Sequence, residues 1–138
     1  MLSTTTDNTA TCSQSIGSGL IYVVDDEAMI GEVVEVILQL EGYQPKFFQN
    51  PMNALEALAT AETKPALLLT DYIMSPINGM ELIERAKALE PLLKTILYSG
   101  NVGQEIMQVY SVKPDSFLSK PFLPKTLVSL VQSILAKP

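Results

Sequence analysis

Leu20-Ile21-Tyr22-Val23-Val24-Asp25-Asp26 is the stretch of sequence that decides the fold. Its first five residues predict a strand that is buried on both faces, and strands of this kind belong to parallel sheets. The run stops at two carboxylates. A second apolar run, residues 66–70, stops in the same way at Asp71. Both strands are therefore expected to bring acidic groups to one edge of a parallel sheet.

Strands and helices alternate along the rest of the chain. Further strands are predicted at residues 45–48, 95–98 and 116–119, and a short apolar pattern predicts a helix at 103–112. Four other helices are predicted where apolar residues recur at helical spacing. The residues at that spacing are Ile30, Val33, Val34, Ile37 and Leu38 in the first helix, Leu55 and Leu58 in the second, Leu82, Ile83, Ala86 and Leu89 in the third, and Leu127, Leu130, Val131, Ile134 and Leu135 in the last.

This alternation predicts an α/β fold with a single five-stranded parallel sheet and five helices on its two faces. The expected architecture is doubly wound and flavodoxin-like, with strand order 2-1-3-4-5. In such sheets the ligand site lies beyond the carboxyl ends of the strands. Five polar residues fall at those ends: Asp25, Asp26, Asp71, Ser99 and Lys120.

Composition narrows the class of protein. The 138 residues are 47% hydrophobic, which suits one domain at 19–138 that follows a tail at 1–18 rich in Ser, Thr, Asn and Gly. We expect that tail to be disordered. The net charge of −6 argues against a nucleic-acid face. A single cysteine, no apolar run long enough to span a membrane and no signal pattern predict a cytoplasmic protein.

The chain contains no histidine. This excludes a Ser-His or Cys-His nucleophilic pair and a histidine-ligated zinc within these residues. A phosphohistidine that takes part in the chemistry must therefore belong to another molecule.

The acidic edge predicts a site for Mg²⁺, because clustered carboxylates repel one another and a divalent cation offsets that repulsion. Asp26 and Asp71 are the expected direct ligands, with Asp25 binding directly or through water. The backbone carbonyl of Ile73 is expected to complete the protein's ligands. Asp71 is also the candidate nucleophile, since a carboxylate can attack phosphorus to form an acyl phosphate.

Two further residues suit a phosphoryl group. Lys120 offers a compact positive charge to one phosphoryl oxygen. The Ser99 hydroxyl can donate to another, but only once Asp71 is phosphorylated. Together these residues predict phosphoryl transfer.

From Leu20 to Leu135 the chain resembles the receiver domains of the response-regulator family and is similar to stand-alone chemotaxis regulators. The residues that carry the resemblance are Val23-Val24-Asp25-Asp26-Glu27, Asp71-Tyr72-Ile73-Met74, Gly79, Ser99-Gly100 and Lys120-Pro121-Phe122, in this order. The resemblance implies that Asp71 takes a phosphoryl group from a histidine of a sensor kinase or phosphotransfer protein. It also implies a cis peptide bond between Lys120 and Pro121.

The resemblance further implies a signalling module of two-component systems. Such a module is not an enzyme beyond its self-catalysed phosphorylation and dephosphorylation. Ser99 and Phe117 match the family's switch positions, although Phe117 lacks the tyrosine hydroxyl and core packing explains it equally well. We expect the domain to pass on its signal by contact with another protein. The expected contact surface is formed by the helix predicted at 103–112, the fifth strand and the last helix.

The chain departs from the family pattern at two points. Ser75 stands where proline is usual, with Pro76 one position later, and Gly100 stands where alanine is common.

Three other readings fit the sequence less well. A phosphatase with an aspartyl nucleophile typically needs an acid two residues past it, where this chain has Ile73. A degenerate receiver that serves only as a scaffold would not need the intact acidic set. A flavodoxin-like cofactor binder needs a phosphate-cradling loop where Asp25-Asp26-Glu27 stands.

Overall fold

Five parallel strands form one sheet in the computed structural model of the chain, which describes residues 16–100 and 109–136. Their order across the sheet, 2-1-3-4-5, confirms the prediction. The first strand begins at Ile16 instead of residue 20, and the third includes Asp71. The strands are β1 (Ile16–Val24), β2 (Gln44–Phe48), β3 (Lys64–Asp71), β4 (Lys94–Ser99) and β5 (Ser116–Ser119).

Four helices lie within the described residues: α1 (Ala28–Leu40), α2 (Pro51–Thr60), α3 (Gly79–Leu89) and α4 (Pro124–Leu135). Of the helix predicted at 103–112, residues 103–108 lie outside the described ranges, and 109–112 form turns and bends. The predicted tail at 1–18 also lies outside them, except for the three residues that belong to β1. None of the described helices has the length and apolar character that a membrane span requires.

Side chains at the starts of two helices fix where those helices begin. The Asn50 side chain accepts a hydrogen bond from the Met52 N–H at 2.9 Å, directly before the proline that opens α2. Asn78 and Glu81 form a capping box at α3, in which each side chain accepts from the other residue's backbone N–H. Both arrangements satisfy N–H groups that a helix start otherwise leaves unpaired.

The core has two halves, one on each face of the sheet. Because successive strand residues point to opposite faces, Ile21 and Val23 pack with α1 and α4, whereas Tyr22 and Val24 pack with α2 and α3. Tyr98 lies on the first of these faces.

The apolar stripe of each predicted helix is expected to face the core, but two residues of these stripes are exposed instead. Val33 in α1 is 54% exposed and Leu89 at the end of α3 is 48% exposed, so these two predictions are wrong. In α1 the cause is Gly31, which is buried and packs so closely against Phe47 that a Cβ would collide with the Phe47 ring. The helix therefore buries Gly31, Val34 and Leu38 and turns Val33 to solvent.

The register of the sheet aligns the ends of its central strands. Val24 pairs with Thr70, Asp71 with Tyr98, and Ser99 with Ser119. The residues that follow β1 and β5 therefore reach the same edge as Asp71. This alignment brings the predicted polar residues together.

Candidate functional site

Three carboxylates meet at the carboxyl edge of the sheet. Asp25, Asp26 and Asp71 each offer an oxygen, and these oxygens lie within 4.8 Å of one another. Asp25 and Asp71 are buried, whereas Asp26 is exposed. Hard oxygen ligands at this spacing are suited to a divalent cation such as Mg²⁺. The cluster can hold a metal ion, and solvent reaches it from the side of Asp26.

Asp25 is held by hydrogen bonds to both of its oxygens. The Tyr98 hydroxyl donates to Oδ2 at 2.7 Å, and the Glu27 N–H donates to Oδ1 at 2.9 Å. Burial raises the pKa of Asp25 above its ordinary value, and the Asp71 charge raises it further, despite the two hydrogen bonds and Lys120, which lower it. The ionised carboxylate is thus destabilised where it stands, and a bound cation would relieve that cost.

Asp71 lies between a backbone donor and a lysine. Its Oδ1 accepts from the Tyr72 N–H at 2.8 Å, and its Oδ2 forms an ion pair with Lys120 Nζ at 3.1 Å. The backbone of Lys120 is tied to β4, since its N–H donates to the Ser99 carbonyl at 2.9 Å. The peptide bond that follows, to Pro121, is cis, the form that the resemblance implies.

Gly79 closes the loop that follows Asp71. Its N–H donates to the Tyr72 carbonyl at 2.8 Å. A Cβ at this position would collide with the backbone oxygen of Asp71. Within the loop, the Ser75–Pro76 bond is also cis. Only glycine permits the approach that holds the loop against the end of β3.

Ser99 carries a buried hydroxyl that lacks a hydrogen-bond partner within the described part of the chain. The residue is 2% exposed and lines a cavity of about 470 Å³. A buried hydroxyl without a partner costs about 1–3 kcal/mol, so an acceptor that enters the cavity would gain a hydrogen bond. The other lining residues are Asp26, Glu27, Asp71, Ile73, Gly100 and Lys120.

The other two predicted site residues, Ile73 and Phe117, lie on the loop after β3 and on β5. Ile73 is 67% exposed and lies on the loop after Asp71, at the wall of the cavity. Phe117 pairs with Leu97 across β4 and β5 and is partly buried against the core half that contains Leu97. This conformation of Phe117 agrees with core packing, and its switching role stays a prediction.

Tyr98 was not predicted from the sequence as a site residue. It was only part of the strand predicted at residues 95–98. Tyr98 is fully buried, and burial beside Asp25 raises the pKa of its hydroxyl far above the ordinary value. A usable signal was present, because a buried tyrosine needs a partner for its hydroxyl. The partner, however, is 73 residues away in the sequence.

The comparisons with known proteins agree with this geometry. The family model described as "response regulator receiver domain" matches residues 21–132. The chain is 32% identical over 120 residues to the phosphate regulon transcriptional regulatory protein PhoB of Pseudomonas aeruginosa, covering 85% of this chain and 52% of that protein. It is 30% identical over 119 residues to the DNA-binding transcriptional regulator NtrC of Escherichia coli, covering 86% of this chain and 25% of NtrC. The chain thus spans about half the length of PhoB and a quarter of the length of NtrC.

A solved structure shows the same fold. It is that of a response regulator receiver domain protein (CheY-like) from Methanospirillum hungatei, with a TM-score of 0.79 and 27% sequence identity. The superposition covers 87% of this chain and 95% of that one. The likeness therefore extends over almost the whole of that domain.

Proposed function

The chain belongs to the response regulator receiver domain family of two-component signalling, and from that membership we propose that Asp71 is its phosphoryl acceptor. The donor is a phosphohistidine outside these 138 residues, which contain no histidine. Mg²⁺ bound by Asp25, Asp26, Asp71 and the Ile73 carbonyl is the cofactor. The phosphorylated domain then signals by contact with another protein.

The proposal rests mainly on the charged and polar groups that surround Asp71. Its carboxylate lies at the wall of a cavity with the Lys120 ammonium at 3.1 Å and the unpartnered Ser99 hydroxyl. A positive charge and a free donor beside a carboxylate are what a phosphoryl group attached to that carboxylate would need.

The transfer is a displacement at phosphorus. An oxygen of Asp71 forms the new P–O bond while the P–N bond to the donor imidazole breaks, and the imidazole nitrogen then takes a proton from solvent. The product is an acyl phosphate on Asp71. Mg²⁺, when bound, neutralises charge on the phosphoryl oxygens.

Lys120 and Ser99 would stabilise the product from two directions. The Lys120 ammonium exchanges its contact with the Asp71 oxygen for one with a phosphoryl oxygen. The Ser99 hydroxyl donates to a second phosphoryl oxygen, which satisfies the hydrogen bond that it lacks in the described structure. A contact that exists only in one state is what a two-state switch requires.

The proposed output face includes β5 with Phe117 and the adjoining helix α4. Movement of Ser99 toward the phosphoryl group would leave a space, and Phe117, which lies on the strand paired with that of Ser99, would move into it. We place protein partners here and no nucleic acid, since the net charge of −6 disfavours a phosphate backbone. DNA binding is stated in the name of NtrC and concerns that protein. We also propose a cytoplasmic location and no catalysis beyond the domain's own phosphorylation and dephosphorylation.

Intact-mass spectrometry after incubation with acetyl phosphate tests the proposal. We expect one phosphoryl addition to the wild type with Mg²⁺, and none with excess EDTA or in Asp71→Asn. Glu62→Gln is the control, because it removes an exposed carboxylate outside the cavity and should leave labelling unchanged. Labelling of Asp71→Asn at the wild-type level would refute the proposal.

A further inference from the structure

Tyr98 contacts two charged residues of the site at once. It lies in β4 directly opposite Asp71 and is fully buried. Its hydroxyl donates to Asp25 Oδ2 at 2.7 Å, and its ring centre lies 4.9 Å from Lys120 Nζ. One side chain thus joins a carboxylate of the acidic cluster to the lysine beside the proposed nucleophile.

The hydroxyl fixes the orientation of Asp25. With the Glu27 N–H at Oδ1 and the Tyr98 hydroxyl at Oδ2, each oxygen accepts one hydrogen bond. A carboxylate oxygen offers about two lone-pair sites, so each oxygen keeps one for a cation. The carboxylate has therefore lost its rotation before a cation arrives. Removal of the hydrogen-bond partner of a metal ligand typically weakens metal affinity about 10–100-fold.

The ring restrains Lys120. A lysine side chain is flexible, and Lys120 Nζ is attracted both to Asp71 Oδ2 at 3.1 Å and to the face of the Tyr98 ring. The ring is itself held by Phe122, whose ring packs edge-on at 5.7 Å between centroids. Lys120 is thus restrained by a contact that remains when Asp71 changes its charge.

We propose that Tyr98 is a positioning residue of the phosphoryl-transfer site: its hydroxyl orients Asp25 toward Mg²⁺ and its ring holds Lys120 beside Asp71. The inference rests on the function proposed above. In this scheme the Tyr98 side chain does not contact the phosphoryl group and acts through Asp25 and Lys120.

The two roles can be separated by substitution. Tyr98→Phe removes the hydroxyl and keeps the ring, whereas Tyr98→Leu removes both. Tyr22→Phe is the matched control, because Tyr22 is a buried tyrosine on β1 whose ring packs against Phe48 on the opposite face of the sheet. A role in packing alone would affect the melting temperature without affecting the site.

Two measurements on the full chain report on the site. Isothermal titration calorimetry gives the Mg²⁺ dissociation constant of the unphosphorylated protein. In the metal-free protein, the proton NMR shift of the Lys120 side-chain CH₂ group next to Nζ reports the aromatic ring, which moves that signal upfield.

We expect Tyr98→Phe to raise the Mg²⁺ dissociation constant about tenfold and to keep the upfield Lys120 signal. Tyr98→Leu should raise the constant at least as much and lose the upfield shift, while Tyr22→Phe matches the wild type in both. Wild-type Mg²⁺ affinity in Tyr98→Phe would overturn the hydroxyl role. A Lys120 signal without an upfield shift in the wild type would overturn the ring role, even if Tyr98→Leu does not fold. Absence of Mg²⁺ binding by the wild type would overturn both this inference and the metal site of the proposed function.

Discussion

At the scale of single residues, two buried polar groups of the site are destabilised where they stand. Burial and the Asp71 charge raise the pKa of Asp25. The Ser99 hydroxyl is buried and makes no hydrogen bond with the described residues. Groups of this kind lower stability and persist where a ligand later satisfies them. The site residues are therefore explained better by function than by stability.

Substitution of Ser99 by alanine should show that the buried hydroxyl does not stabilise the fold. Because the hydroxyl lacks a partner in the described structure, Ser99→Ala should keep the free energy of unfolding or raise it by about 1 kcal/mol. The same variant should bind beryllofluoride at Asp71 yet lose the conformational response. Chemical denaturation and amide NMR shifts in residues 109–136, with and without beryllofluoride, measure the two effects.

Ser119→Ala is the control for that experiment, since Ser119 is the exposed partner of Ser99 on β5. It should respond to beryllofluoride like the wild type. Shifts in Ser99→Ala that equal those of the wild type would show that output does not pass through this hydroxyl.

At the scale of elements, one carboxylate joins the starts of β4 and β5. Asp115 accepts hydrogen bonds from the Thr95 N–H at 2.7 Å and from Lys87 Nζ at 3.1 Å, and its own N–H donates to the Thr95 carbonyl at 2.9 Å. Burial acts to raise the pKa of Asp115, but the hydrogen bonds from Thr95 and Lys87 outweigh it, so the net pKa is lowered. Asp115 thus anchors the edge strand that carries Phe117 and leads to Lys120.

The lowered pKa predicts a pH dependence of stability. An acid whose pKa falls on folding adds stability above its unfolded pKa, and that stability is lost as the pH falls toward the folded value. Near neutral pH, Asp115→Asn should lower the free energy of unfolding by about 1 kcal/mol. The difference from the wild type should shrink as the pH drops below 3.8, the ordinary value for this group.

Urea denaturation at a series of pH values measures that difference. Glu62→Gln, at an exposed carboxylate in the turn before β3, is the control. A deficit in Asp115→Asn that stays constant down to pH values well below 3.8 would contradict the ionic role of Asp115.

At the scale of the whole molecule, the sequence predicted what depends on local pattern and missed what depends on distant contacts. Apolar runs indicate strands, so the number of strands and the bounds of β5 were predictable, and the order of the strands followed from the doubly wound class of fold. The buried face of α1 was not, because the contact of Gly31 with Phe47 turns Val33 outward. Likewise the acidic edge was predictable from strand ends, whereas the bond from Tyr98 to Asp25 joins residues far apart in the sequence.

Metal binding should stabilise the whole fold. The three carboxylates are close together in the folded domain, and a ligand that binds only the folded state stabilises it by about 2.7 kcal/mol at a hundredfold excess over its dissociation constant. Thermal melting curves with millimolar Mg²⁺ and with EDTA should therefore separate for the wild type and coincide for Asp26→Ala. Coincident wild-type curves would mean that the cluster does not bind Mg²⁺ in this range.

The central claim is that the phosphoryl group attaches to Asp71, and the most direct test locates the acyl phosphate chemically. Borohydride reduces an aspartyl phosphate to homoserine, which tandem mass spectrometry can assign to a position in the chain. After treatment with acetyl phosphate and Mg²⁺, we predict homoserine at position 71 and aspartate unchanged at positions 25 and 26. Homoserine at position 25 or 26, with position 71 unmodified, would contradict the account.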